Sequence, residues 1–457
     1  MELTNKNILI VGLGKSGAAI ARFLKNRGCG SVTVTDMANE DQVSNYASLM
    51  REMDVRTELG QHRTETFEKA DLIVLSPGVP HTIEPIKAAR EKGIPVLGEI
   101  ELAYRFISEP IIAITGTNGK TTTATLLGEM LKKSGFNVFV GGNIGDPLIG
   151  YADKGEKADI LVVEVSSFQL DTIETFRPRV SVLLNITDDH LDRYPDFNAY
   201  AMSKCRIFEN QEQDDFAVFN NSDPLISSMA KNIKSRKLET GNWKPETGNR
   251  KLEIGNQVSS SKFQVSSFNL SNPGLPGRHN RENVSAACMA ALAVRGTPEG
   301  IQTALDDFKG LRHRLEYVTT INNTRYFNDS KGTNTDATAK ALEYFTEPVI
   351  LIMGGRSKGG SQGHNQFNVL KDTVRQKVKR LIIMGEASGE IKTALGHECM
   401  GGSQLADSMD DAVFQAYQAS DPGDVVLLSP GCSSFDIYNS YAERGEHFCK
   451  ATGNLKK

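Results

Sequence analysis

IIAITGTNGKTT, residues 111–122, joins an apolar, β-branched run to a glycine-rich turn that ends in Lys-Thr-Thr. The turn, Gly116 to Thr121, is a compact relative of the phosphate-binding loop GxxxxGK[ST]. Backbone N–H groups of such a loop surround a phosphate, the lysine contacts the β- and γ-phosphate oxygens, and the next hydroxyl can face Mg²⁺. A strand before the turn and a helix after it favour a nucleotide-binding loop over a tight turn with a solvated lysine.

A second glycine-rich turn lies near the N-terminus. Gly12-x-Gly14-x-x-Gly17 follows an apolar run at 7–11, and Asp36 ends the next apolar run. This order and spacing is the dinucleotide-binding fingerprint, in which a turn and a helix N-terminus hold a diphosphate. Taken alone, it favours NAD and a plain turn about equally. Nothing later in the chain supports hydride transfer, however, and a UDP-linked sugar also carries a diphosphate that this turn could hold.

Strand-like runs alternate with helical stretches along the whole chain. Its 457 residues exceed what a single hydrophobic core usually organises. Alternation of this kind indicates parallel sheets covered by helices on both faces. We therefore predict an α/β protein of three domains. They are an N-terminal Rossmann-like domain at 1–108, a central P-loop ATPase-type domain at 109–311 and a C-terminal Rossmann-like domain at 312–457.

Two local patterns give further structural predictions. Residues 231–270 are polar and rich in glycine and serine, and Lys237–Asn242 nearly recurs at 251–256. We expect a peripheral β-hairpin region there, because a single near-copy is too little for a repeat architecture. Near the C-terminus, Ser408 followed by Asp411 is typical of a helix start with a serine cap.

The composition excludes several classes of protein. A net charge of −4 and a pI near 6.1 are not those of a typical nucleic-acid-binding protein. No apolar run is long enough to span a bilayer, and the first residues do not have the layout of a signal peptide. Six scattered cysteines without a CxxC pair indicate reduced thiols. We expect a cytoplasmic protein with neither nucleic-acid nor membrane partners.

Chemically capable side chains follow the central strand-like runs. Glu164 ends a run at 160–163, and the carboxyl ends of strands are where ligands bind in open α/β sheets. A buried carboxylate needs a cation, so we predict a Mg²⁺ ligand here; the alternative is a carboxylate that faces water. His190 lies among three acids at another strand end, which favours function over a structural histidine. Lys204, by contrast, is by default a solvated helix lysine.

Two charged clusters lie at the start of the C-terminal block. Arg312-His313-Arg314 and Asn328-Asp329-Ser330-Lys331 place cations beside an acid. Such groups suit a moving domain that closes on a nucleotide, and they equally suit a salt-bridge cluster between domains. Cys432, in the loop after the last strand-like run, is interpreted as a small buried residue and not as a nucleophile.

The order of six motifs resembles that of the Mur ligase family, and the resemblance runs essentially end to end. The motifs are GTNGKTT (116–122), EVSSFQL (164–170), NITDDHLDRY (185–194), GLRHRLE (310–316), NDSKGTNTDA (328–337) and LLSPGCSSFD (427–436). The resemblance implies an ATP-dependent ligase that forms an amide bond in a peptidoglycan precursor through an acyl-phosphate. GLGKSG, SPGVP and SSFQL favour the members that add D-glutamate to UDP-N-acetylmuramoyl-L-alanine. A relative that adds a different amino acid stays open.

The resemblance also implies roles for individual residues. ATP would contact Gly116, Thr117, Asn118, Gly119, Lys120, Thr121, Thr122, Asn283, Arg314, Asp329 and Lys331, with His313 close by. The catalytic residues would be Lys120, His190 and Lys204. Two Mg²⁺ ions would be held by Thr121, Glu164, His190 and Lys204 as a carbamate. The UDP-linked substrate would contact Ser16, Asp36, Ser76, Pro77, Gly78 and Asn143, and D-glutamate would contact Lys358, Ser434 and Phe435.

The loop at 356–364 departs from the family pattern, since it is longer and lacks the usual acids. The contact predicted for Lys358 depends on this loop. Two rival hypotheses come from other classes. An NAD-dependent dehydrogenase would leave the loop at 116–122 unexplained, and a GTPase-like module would need an NKxD motif, which is missing. We expect the chain to work as a monomer.

Overall fold

The computed structural model describes residues 1–155, 157–189, 193–240, 251–254, 266–269, 278–357 and 365–455. The chain divides into two compact units. One comprises Met1–Asn185, Ala201–Asn269 and Asn283–Leu305, and the other comprises Ile186–Tyr200, Leu270–Glu282 and Asp306–Lys457. The main sheets fall inside the three predicted blocks, while the block boundaries at 108 and 311 stay a prediction.

The first sheet of the first unit is parallel, with strand order β3-β2-β1-β4-β5. Its strands are β1 (Asn7–Val11), β2 (Ser31–Asp36), β3 (Arg56–Leu59), β4 (Leu72–Leu75) and β5 (Val96–Gly98). The helices are α1 (Lys15–Lys25), α2 (Ser44–Glu52), α3 (Thr64–Glu68), α4 (Glu84–Glu91) and α5 (Glu99–Tyr104). The predicted βα alternation is confirmed here, although the sequence did not predict β3 and β5.

The second sheet of this unit is also parallel, with strand order β11-β10-β9-β6-β8-β7. Its strands are β6 (Ile111–Thr115), β7 (Val138–Gly142), β8 (Ile160–Glu164), β9 (Val180–Leu183), β10 (Phe216–Phe219) and β11 (Arg236–Glu239). The helices are α6 (Lys120–Lys133), α7 (Leu148–Lys154), α8 (Ser167–Leu170), α9 (Phe197–Cys205) and α10 (Pro224–Met229). The central strands are fully buried, as expected for a sheet covered on both faces.

The predicted hairpin region at 231–270 is partly wrong. The first of the two near-copies forms β11, which pairs in parallel with β10 at the edge of the second sheet. The second near-copy forms β12 (Lys251–Ile254), which pairs antiparallel with β13 (Ser266–Asn269). The similar sequences misled the prediction because strand pairing is decided by the neighbour that each strand meets, and β11 meets a buried strand.

The second unit carries a mixed sheet with strand order β14-β15-β19-β16-β17-β18, in which only β14 and β15 pair antiparallel. Helices α11 (Arg278–Ala293) and α12 (Pro298–Asp307) precede it in the chain. Its strands are β14 (Glu316–Ile321), β15 (Thr324–Asn328), β16 (Val349–Gly354), β17 (Val378–Met384), β18 (Ser403–Leu405) and β19 (Val425–Leu428). Its helices are α13 (Thr335–Glu343), α14 (Lys371–Lys377), α15 (Ser388–Leu395), α16 (Met409–Ala419) and α17 (Tyr441–Asn454).

Two details of the fold agree with the sequence predictions. The Ser408 hydroxyl accepts a hydrogen bond from the N–H of Asp411 and caps α16. Cys432 is fully buried, as expected for a small core residue. Among the described residues, no helix combines the length and the apolar character needed to cross a bilayer.

Helix α5 connects the two sheets of the first unit through two buried acids. Glu101 accepts hydrogen bonds from the N–H groups of Glu174 (2.9 Å), Thr175 (3.1 Å) and Phe176 (2.9 Å). Burial alone would raise the pKa of Glu101, but the hydrogen bonds, led by that of the Thr175 hydroxyl, outweigh it and lower the pKa. Glu99 accepts from the N–H of Ile149 at 2.8 Å, and burial raises its pKa to about 7.

Candidate active site

The glycine-rich loop at 116–122 lies between β6 and α6, as predicted. Gly119 precedes the helix with φ +88°, a left-handed conformation that favours glycine. Lys120 is the first residue of α6, and its Nζ donates to the carbonyl oxygens of Gly116 (2.7 Å) and Thr117 (2.9 Å). The helix N-terminus and the lysine therefore converge on one loop, which is the arrangement that binds phosphate groups.

Asn185, just beyond β9, supports this loop and was not predicted as a site residue. Its carbonyl oxygen accepts from the N–H of Thr117 at 2.9 Å. Its side chain accepts from the N–H of Asn118 at 2.8 Å and donates to the carbonyl oxygen of Asn118 at 3.1 Å. Three hydrogen bonds from one residue fix the shape of the loop before any ligand binds. The signal was its place at a strand end, the same rule that indicated Glu164.

Asn283, predicted to contact ATP, packs directly on the loop. It is buried on α11, and a Cβ atom at residue 119 would lie 2.2 Å from its Oδ1. Only a glycine at 119 leaves room for this amide. The structure thus brings Asn283 to the loop from more than 150 residues further along the chain.

Glu164 ends β8 and is 3% exposed, so the alternative of a carboxylate that faces water is wrong. The Thr121 hydroxyl donates to its Oε2 at 2.8 Å, and the Asn143 amide donates to its Oε1 at 3.2 Å. A carboxylate and a hydroxyl side by side are hard oxygen donors, and Mg²⁺ typically uses one or two such protein ligands together with substrate phosphates. The residues therefore fit Mg²⁺. The described part of the chain holds no cluster of three or more His, Cys, Asp or Glu side chains arranged for a metal.

Lys204 is not the solvated lysine that its sequence context suggested. Its side chain is 2% exposed on α9, and its Nζ donates to the carbonyl oxygen of Gly116 at 3.0 Å. The residue is therefore brought to the start of the glycine-rich loop. A lysine that is buried at such a place needs a specific role, because burying an ammonium group is costly.

A cavity of about 1000 Å³ lies at the carboxyl ends of β1, β2, β3 and β4. The turn 142–147, which follows β7 of the second sheet, completes its wall. All six residues predicted to contact the UDP-linked substrate line this cavity, namely Ser16, Asp36, Ser76, Pro77, Gly78 and Asn143. The cavity is thus built by both sheets of the first unit.

Polar contacts hold the wall of the cavity in place. Asp36 accepts from the N–H groups of Leu13 (2.6 Å) and Ala38 (2.7 Å), which ties the ends of β1 and β2 together. The Ser76 hydroxyl donates to the carbonyl oxygen of Gly12 at 2.9 Å. Gly12 has φ +99°, and a Cβ atom there would lie 2.9 Å from that of Ser76. The glycine-rich turn is therefore packed tightly against the end of β4.

Lys15 joins the two halves of the cavity wall and was not predicted as a site residue. Its Nζ donates to the carbonyl oxygen of Gly145 at 2.6 Å and lies 3.1 Å from Oδ1 of Asp146. The hydrogen bond from Lys15 lowers the pKa of Asp146. A cation at this position, beside the turn that resembles a diphosphate-binding turn, adds positive charge where a diphosphate would lie.

In the second unit, Asp329 and Lys331 follow β15. Asp329 accepts from the Ser429 hydroxyl at 2.8 Å and from the N–H of Leu315 at 3.1 Å. Burial raises the pKa of Asp329 to about 7, against the opposing effect of these hydrogen bonds and of Arg314. The Lys331 ammonium lies 3.8 Å from the ring centroid of Tyr441. These residues of the two predicted clusters thus lie in one region of the second unit.

His313, from the same cluster, is 5% exposed and belongs to the interior of the second unit. The amide of Asn328 lies 2.9 Å from its Nδ1, and its ring meets that of Tyr441 edge-on at 6.2 Å. Burial lowers the pKa of His313, so the ring is neutral near pH 7. We therefore interpret His313 as a residue that supports the loop carrying Arg314.

Arg444 on α17 holds together the loops after β15 and β19 and the end of β16, and it was also missed. Its guanidinium, in a side chain 2% exposed, donates to carbonyl oxygens of Ser330 (2.8 Å), Gly354 (3.2 Å) and Cys432 (3.2 Å). Burial lowers its pKa to about 10, so it stays a cation at neutral pH. Sequence alone gives little signal, because an arginine within a polar helix is normally exposed.

Two of the three predicted D-glutamate contacts lie among the described residues, and they differ in exposure. Ser434 is buried and its carbonyl oxygen accepts from the N–H of Tyr438 at 2.9 Å, whereas Phe435 is 64% exposed. Lys358 and the predicted metal ligand His190 lie outside the described residues.

Three sequence profiles match successive parts of the chain. They are "Mur ligase MurD-like, N-terminal domain" at 6–98, "Mur ligase middle domain" at 114–291 and "Mur ligase, glutamate ligase domain" at 313–432. Together the matches cover most of the 457 residues. The chain belongs to the Mur ligase family. The rival hypotheses of an NAD-dependent dehydrogenase and a GTPase-like module are therefore wrong.

Full-length relatives support the assignment to the Mur ligases. A protein of Desulfosudis oleivorans named UDP-N-acetylmuramoylalanine–D-glutamate ligase is 52% identical, covering 100% of this chain and 98% of the relative. A protein of Desulfatibacillum aliphaticivorans with the same name is 49% identical and covers 100% of both chains. In fold, the chain is similar to the MurF ligase of Thermotoga maritima in complex with ADP, with a TM-score of 0.62 at 15% identity, covering 99% and 98% of the two chains.

Membership of the Mur ligase family gives the class of reaction. The chain is an α/β protein of three Mur ligase domains and an ATP-dependent ligase of peptidoglycan precursor synthesis. The fingerprint in the first sheet, which alone suggested NAD, is thus part of a Mur ligase N-terminal domain. ATP use agrees with the loop at 116–122, and Mg²⁺ agrees with the oxygen donors of Thr121 and Glu164.

Proposed function

We propose that the chain joins D-glutamate to UDP-N-acetylmuramoyl-L-alanine at the expense of ATP. One observation carries the proposal beyond the names of the relatives. Asn143 lines the large cavity and donates to Glu164, and Thr121 of the glycine-rich loop donates to the same carboxylate. A substrate in the cavity and a nucleotide on the loop would therefore meet across Glu164. That proximity is what a reaction between a carboxylate and a γ-phosphate needs.

The proposed reaction has two steps. An oxygen of the alanyl carboxylate forms a bond to the γ-phosphorus as the bond from phosphorus to the ADP oxygen breaks. The D-glutamate nitrogen then forms a bond to the acyl carbon, and phosphate leaves while the amine gives up its proton. Phosphorylation is required because a carboxylate oxygen is a poor leaving group, whereas phosphate is a good one.

Residues of the first unit would support the first step through charge and position. The N–H groups of the loop and the Lys120 ammonium would hold the phosphates and offset the negative charge that gathers between ATP and the alanyl carboxylate. Asn143 would orient the alanyl end of the substrate through its amide. Asn185 would keep the loop in shape, and Asn283 would lie on its outer side against the adenine.

Mg²⁺ would be held by Thr121 and Glu164, where it would neutralise phosphate charge. We retain the predicted second Mg²⁺ site, with His190 and a carbamate of Lys204 as ligands. Carbamylation would turn a buried cation into a carboxylate-like anion, which suits the burial of Lys204 beside Gly116. The amine adds to the carbon of CO₂ and releases one proton, so the modification needs no other reactant.

The second unit would supply the remaining contacts. Arg314, Asp329 and Lys331 would act on ATP, and Lys358, Ser434 and Phe435 would bind D-glutamate. Cations and O–H or N–H donors suit the two carboxylates of this amino acid. We further propose that the enzyme acts in the cytoplasm, because ATP and UDP-linked precursors are cytoplasmic metabolites. We also propose that it works as a monomer.

Phosphate release from ATP tests the proposal. The purified chain is supplied with ATP, Mg²⁺ and UDP-N-acetylmuramoyl-L-alanine, together with D-glutamate, L-alanine or L-lysine in separate reactions. Of the three amino acids, we expect only D-glutamate to give phosphate release. The product should have a mass equal to the sum of D-glutamate and UDP-N-acetylmuramoyl-L-alanine minus water. Release with L-lysine but not with D-glutamate would overturn the proposed amino acid.

Lys120→Ala and Lys132→Ala form a matched pair for the same assay. Both lysines lie on α6, but Lys132 is at the far end, where its side chain's one hydrogen bond to a described residue goes to Glu129 on the surface. We expect Lys120→Ala to lose more than about 100-fold in kcat and Lys132→Ala to match the wild type. Equal activity of the two variants would contradict the assigned role of the loop.

A further inference from the structure

The loop after β19 carries Ser434, one of the proposed contacts of D-glutamate. Ser434 is 2% exposed, and its hydroxyl makes no hydrogen bond to any residue that the structure describes. The hydroxyl of a buried residue normally has a partner, so this one is available to a bound ligand. Whatever holds the loop therefore decides where that hydroxyl lies.

The first half of the loop is held by backbone pairing and by Arg444. The N–H of Ser433 donates to the carbonyl oxygen of Arg356 at 3.1 Å, and the N–H of Arg356 donates back at 2.9 Å. Arg444 on α17 donates to the carbonyl oxygens of Cys432 (3.2 Å) and Ser433 (3.3 Å). These hydrogen bonds fix the chain up to residue 433.

The second half of the loop turns back and meets the same helix. The N–H of Tyr438 donates to the carbonyl oxygen of Ser434 at 2.9 Å, which closes a single turn. The Tyr438 hydroxyl lies 2.9 Å from Nδ1 of His447 on α17, and the two rings meet edge-on with centroids 5.8 Å apart. Arg444 and His447 are three residues apart, so one face of α17 holds the loop on either side of Ser434.

Asp410, in the first turn of α16, orients the His447 ring. Its Oδ2 lies 2.8 Å from Nε2 of His447. A carboxylate only accepts, so Nε2 carries a hydrogen and donates it, and in the neutral ring Nδ1 is the acceptor. Burial raises the pKa of Tyr438 to about 12, so its hydroxyl keeps the proton that it donates to Nδ1. Hydrogen bonds thus run from α16 through α17 to the loop.

This series of hydrogen bonds contributes little to the stability of the second unit. The side chains of His447 and Asp410 are 34% and 59% exposed, and exposed ion pairs add little to the free energy of unfolding. No role was predicted for Tyr438, His447 or Asp410 from the sequence. What their contacts do fix is the course of the chain just after Ser434.

We propose that Tyr438 and His447 are positioning residues for the amino-acid substrate, which hold Ser434 where its hydroxyl donates to a carboxylate of D-glutamate. This inference rests on the proposed function, in which Ser434 binds D-glutamate. Tyr438 and His447 act through Ser434 and the turn that it closes. Without them, the ligand must order the loop as it binds, which lowers its affinity and leaves the chemical step unchanged.

The kinetics of phosphate release test the proposal. Tyr438→Phe loses only the hydroxyl, and His447→Leu loses both ring nitrogens. Each should raise KM for D-glutamate about fivefold and leave kcat and KM for ATP nearly unchanged, because one net hydrogen bond is lost. The double variant should resemble the single ones, since both substitutions break the same contact. His447→Asn, whose amide oxygen can take the place of Nδ1, should keep a KM close to that of the wild type.

Tyr317→Phe and His397→Leu are matched controls in the second unit. The Tyr317 hydroxyl lies 2.8 Å from that of Thr320 at the surface, so Tyr317→Phe loses a comparable hydrogen bond elsewhere. His397 is exposed. Neither control should change KM for D-glutamate. Thermal melting of all variants should match that of the wild type, which distinguishes a displaced loop from a lost fold.

Amide hydrogen exchange measures the loop without relying on turnover. The N–H at position 438, which donates to Ser434, should exchange several-fold faster in Tyr438→Phe and His447→Leu than in the wild type. The N–H groups of β19 should keep their protection. Unchanged exchange at 438 would show that the pair does not hold the loop, and faster exchange with an unchanged KM would show that the loop does not serve the amino acid. Either result overturns the proposal.

Failure of this proposal and failure of the proposed function give different results. If another amino acid supports phosphate release and D-glutamate does not, the proposed amino acid is wrong. A raised KM for the accepted amino acid in Tyr438→Phe and His447→Leu would then still support the positioning role. If D-glutamate is the substrate and both variants keep the wild-type KM, only the positioning role is wrong.

Discussion

The Nζ atom of Lys204 lies 3.0 Å from the carbonyl oxygen of Gly116, so a lysine from α9 contacts the first residue of the glycine-rich loop. The side chain is 2% exposed, which makes a general surface role untenable. Its position beside the loop is consistent with the proposed carbamate, because an anion formed there would lie near the proposed metal.

Lys204→Ala should therefore lose about 100-fold or more in kcat, and short carboxylate anions added to the assay should restore part of the activity. Lys204→Arg keeps a cation but cannot form the carbamate, so it should stay inactive with or without these anions. Phosphate release measures both effects. Full activity of Lys204→Ala, or rescue of Lys204→Arg, would contradict the carbamate.

Thr121 and Thr123, on one helix, offer a matched test of the proposed magnesium site. The Thr121 hydroxyl donates to Glu164, while the buried Thr123 hydroxyl finds no partner among the described residues. Thr121→Val should raise the Mg²⁺ concentration needed for half-maximal turnover and lower kcat about 10- to 100-fold. Thr123→Val should leave both values unchanged. A magnesium titration in the phosphate-release assay separates the two variants, and equal effects would contradict the assigned ligand.

Asn185 should act through the shape of the glycine-rich loop, where we propose that ATP binds. Asn185→Ala removes the two side-chain hydrogen bonds to Asn118 but leaves the backbone bond to Thr117. We expect KM for ATP to rise about tenfold, since a loosened loop must be ordered by the ligand. Asn221→Ala is the control, because within the described part of the chain that amide bonds to Glu239 alone, on the surface. A KM for ATP that is the same in both variants would show that the loop does not need this support.

Glu99 should make stability depend on pH. Its pKa is raised from 4.5 to about 7 in the folded chain, so the contribution to stability is complete below pH 4.5 and is lost as the pH rises through about 7. Glu99→Gln, which stays neutral, should melt several degrees above the wild type at pH 8 and close to it at pH 4.5. The change in free energy is at most about 3 kcal/mol.

Calorimetric scans at both pH values provide the test for Glu99. Glu84→Gln is the control, since that side chain is 86% exposed. A gain in melting temperature that is equal at pH 4.5 and pH 8 would show that the charge of Glu99 is not its cause.

The fold could be predicted where local sequence and global structure agree. The runs at 111–115 and 160–164 are apolar throughout and bounded by turns, so they were recognised as buried parallel strands. β3 and β5 are short and were missed, because three or four residues give too little pattern. The near-copies at 237 and 251 predicted one hairpin, but pairing with β10 depends on contacts that are distant in sequence.

The site shows the same limit for individual residues. Lys120, Thr121 and Glu164 were predicted as site residues from motif and strand position alone, because loop, helix start and strand end are neighbours by topology. Lys204 needed the family resemblance, since nothing near it in sequence reveals its burial. Asn185 and Arg444 were missed by both routes, because their hydrogen bonds go to backbone atoms whose positions only the folded chain defines.

The buried acids of α5 bear on how the chain can be dissected. Glu101 is held by three backbone N–H groups at 174–176, and Glu99 by the N–H of Ile149. A fragment that ends at residue 108 would carry both carboxylates to its surface without these partners. The remaining part of the chain would keep the N–H groups that donate to these carboxylates, but without their acceptors. Experiments on the proposed UDP-binding half are therefore best done on a fragment that keeps the first two predicted blocks together, even though the predicted boundary at residue 108 suggests a cut between them.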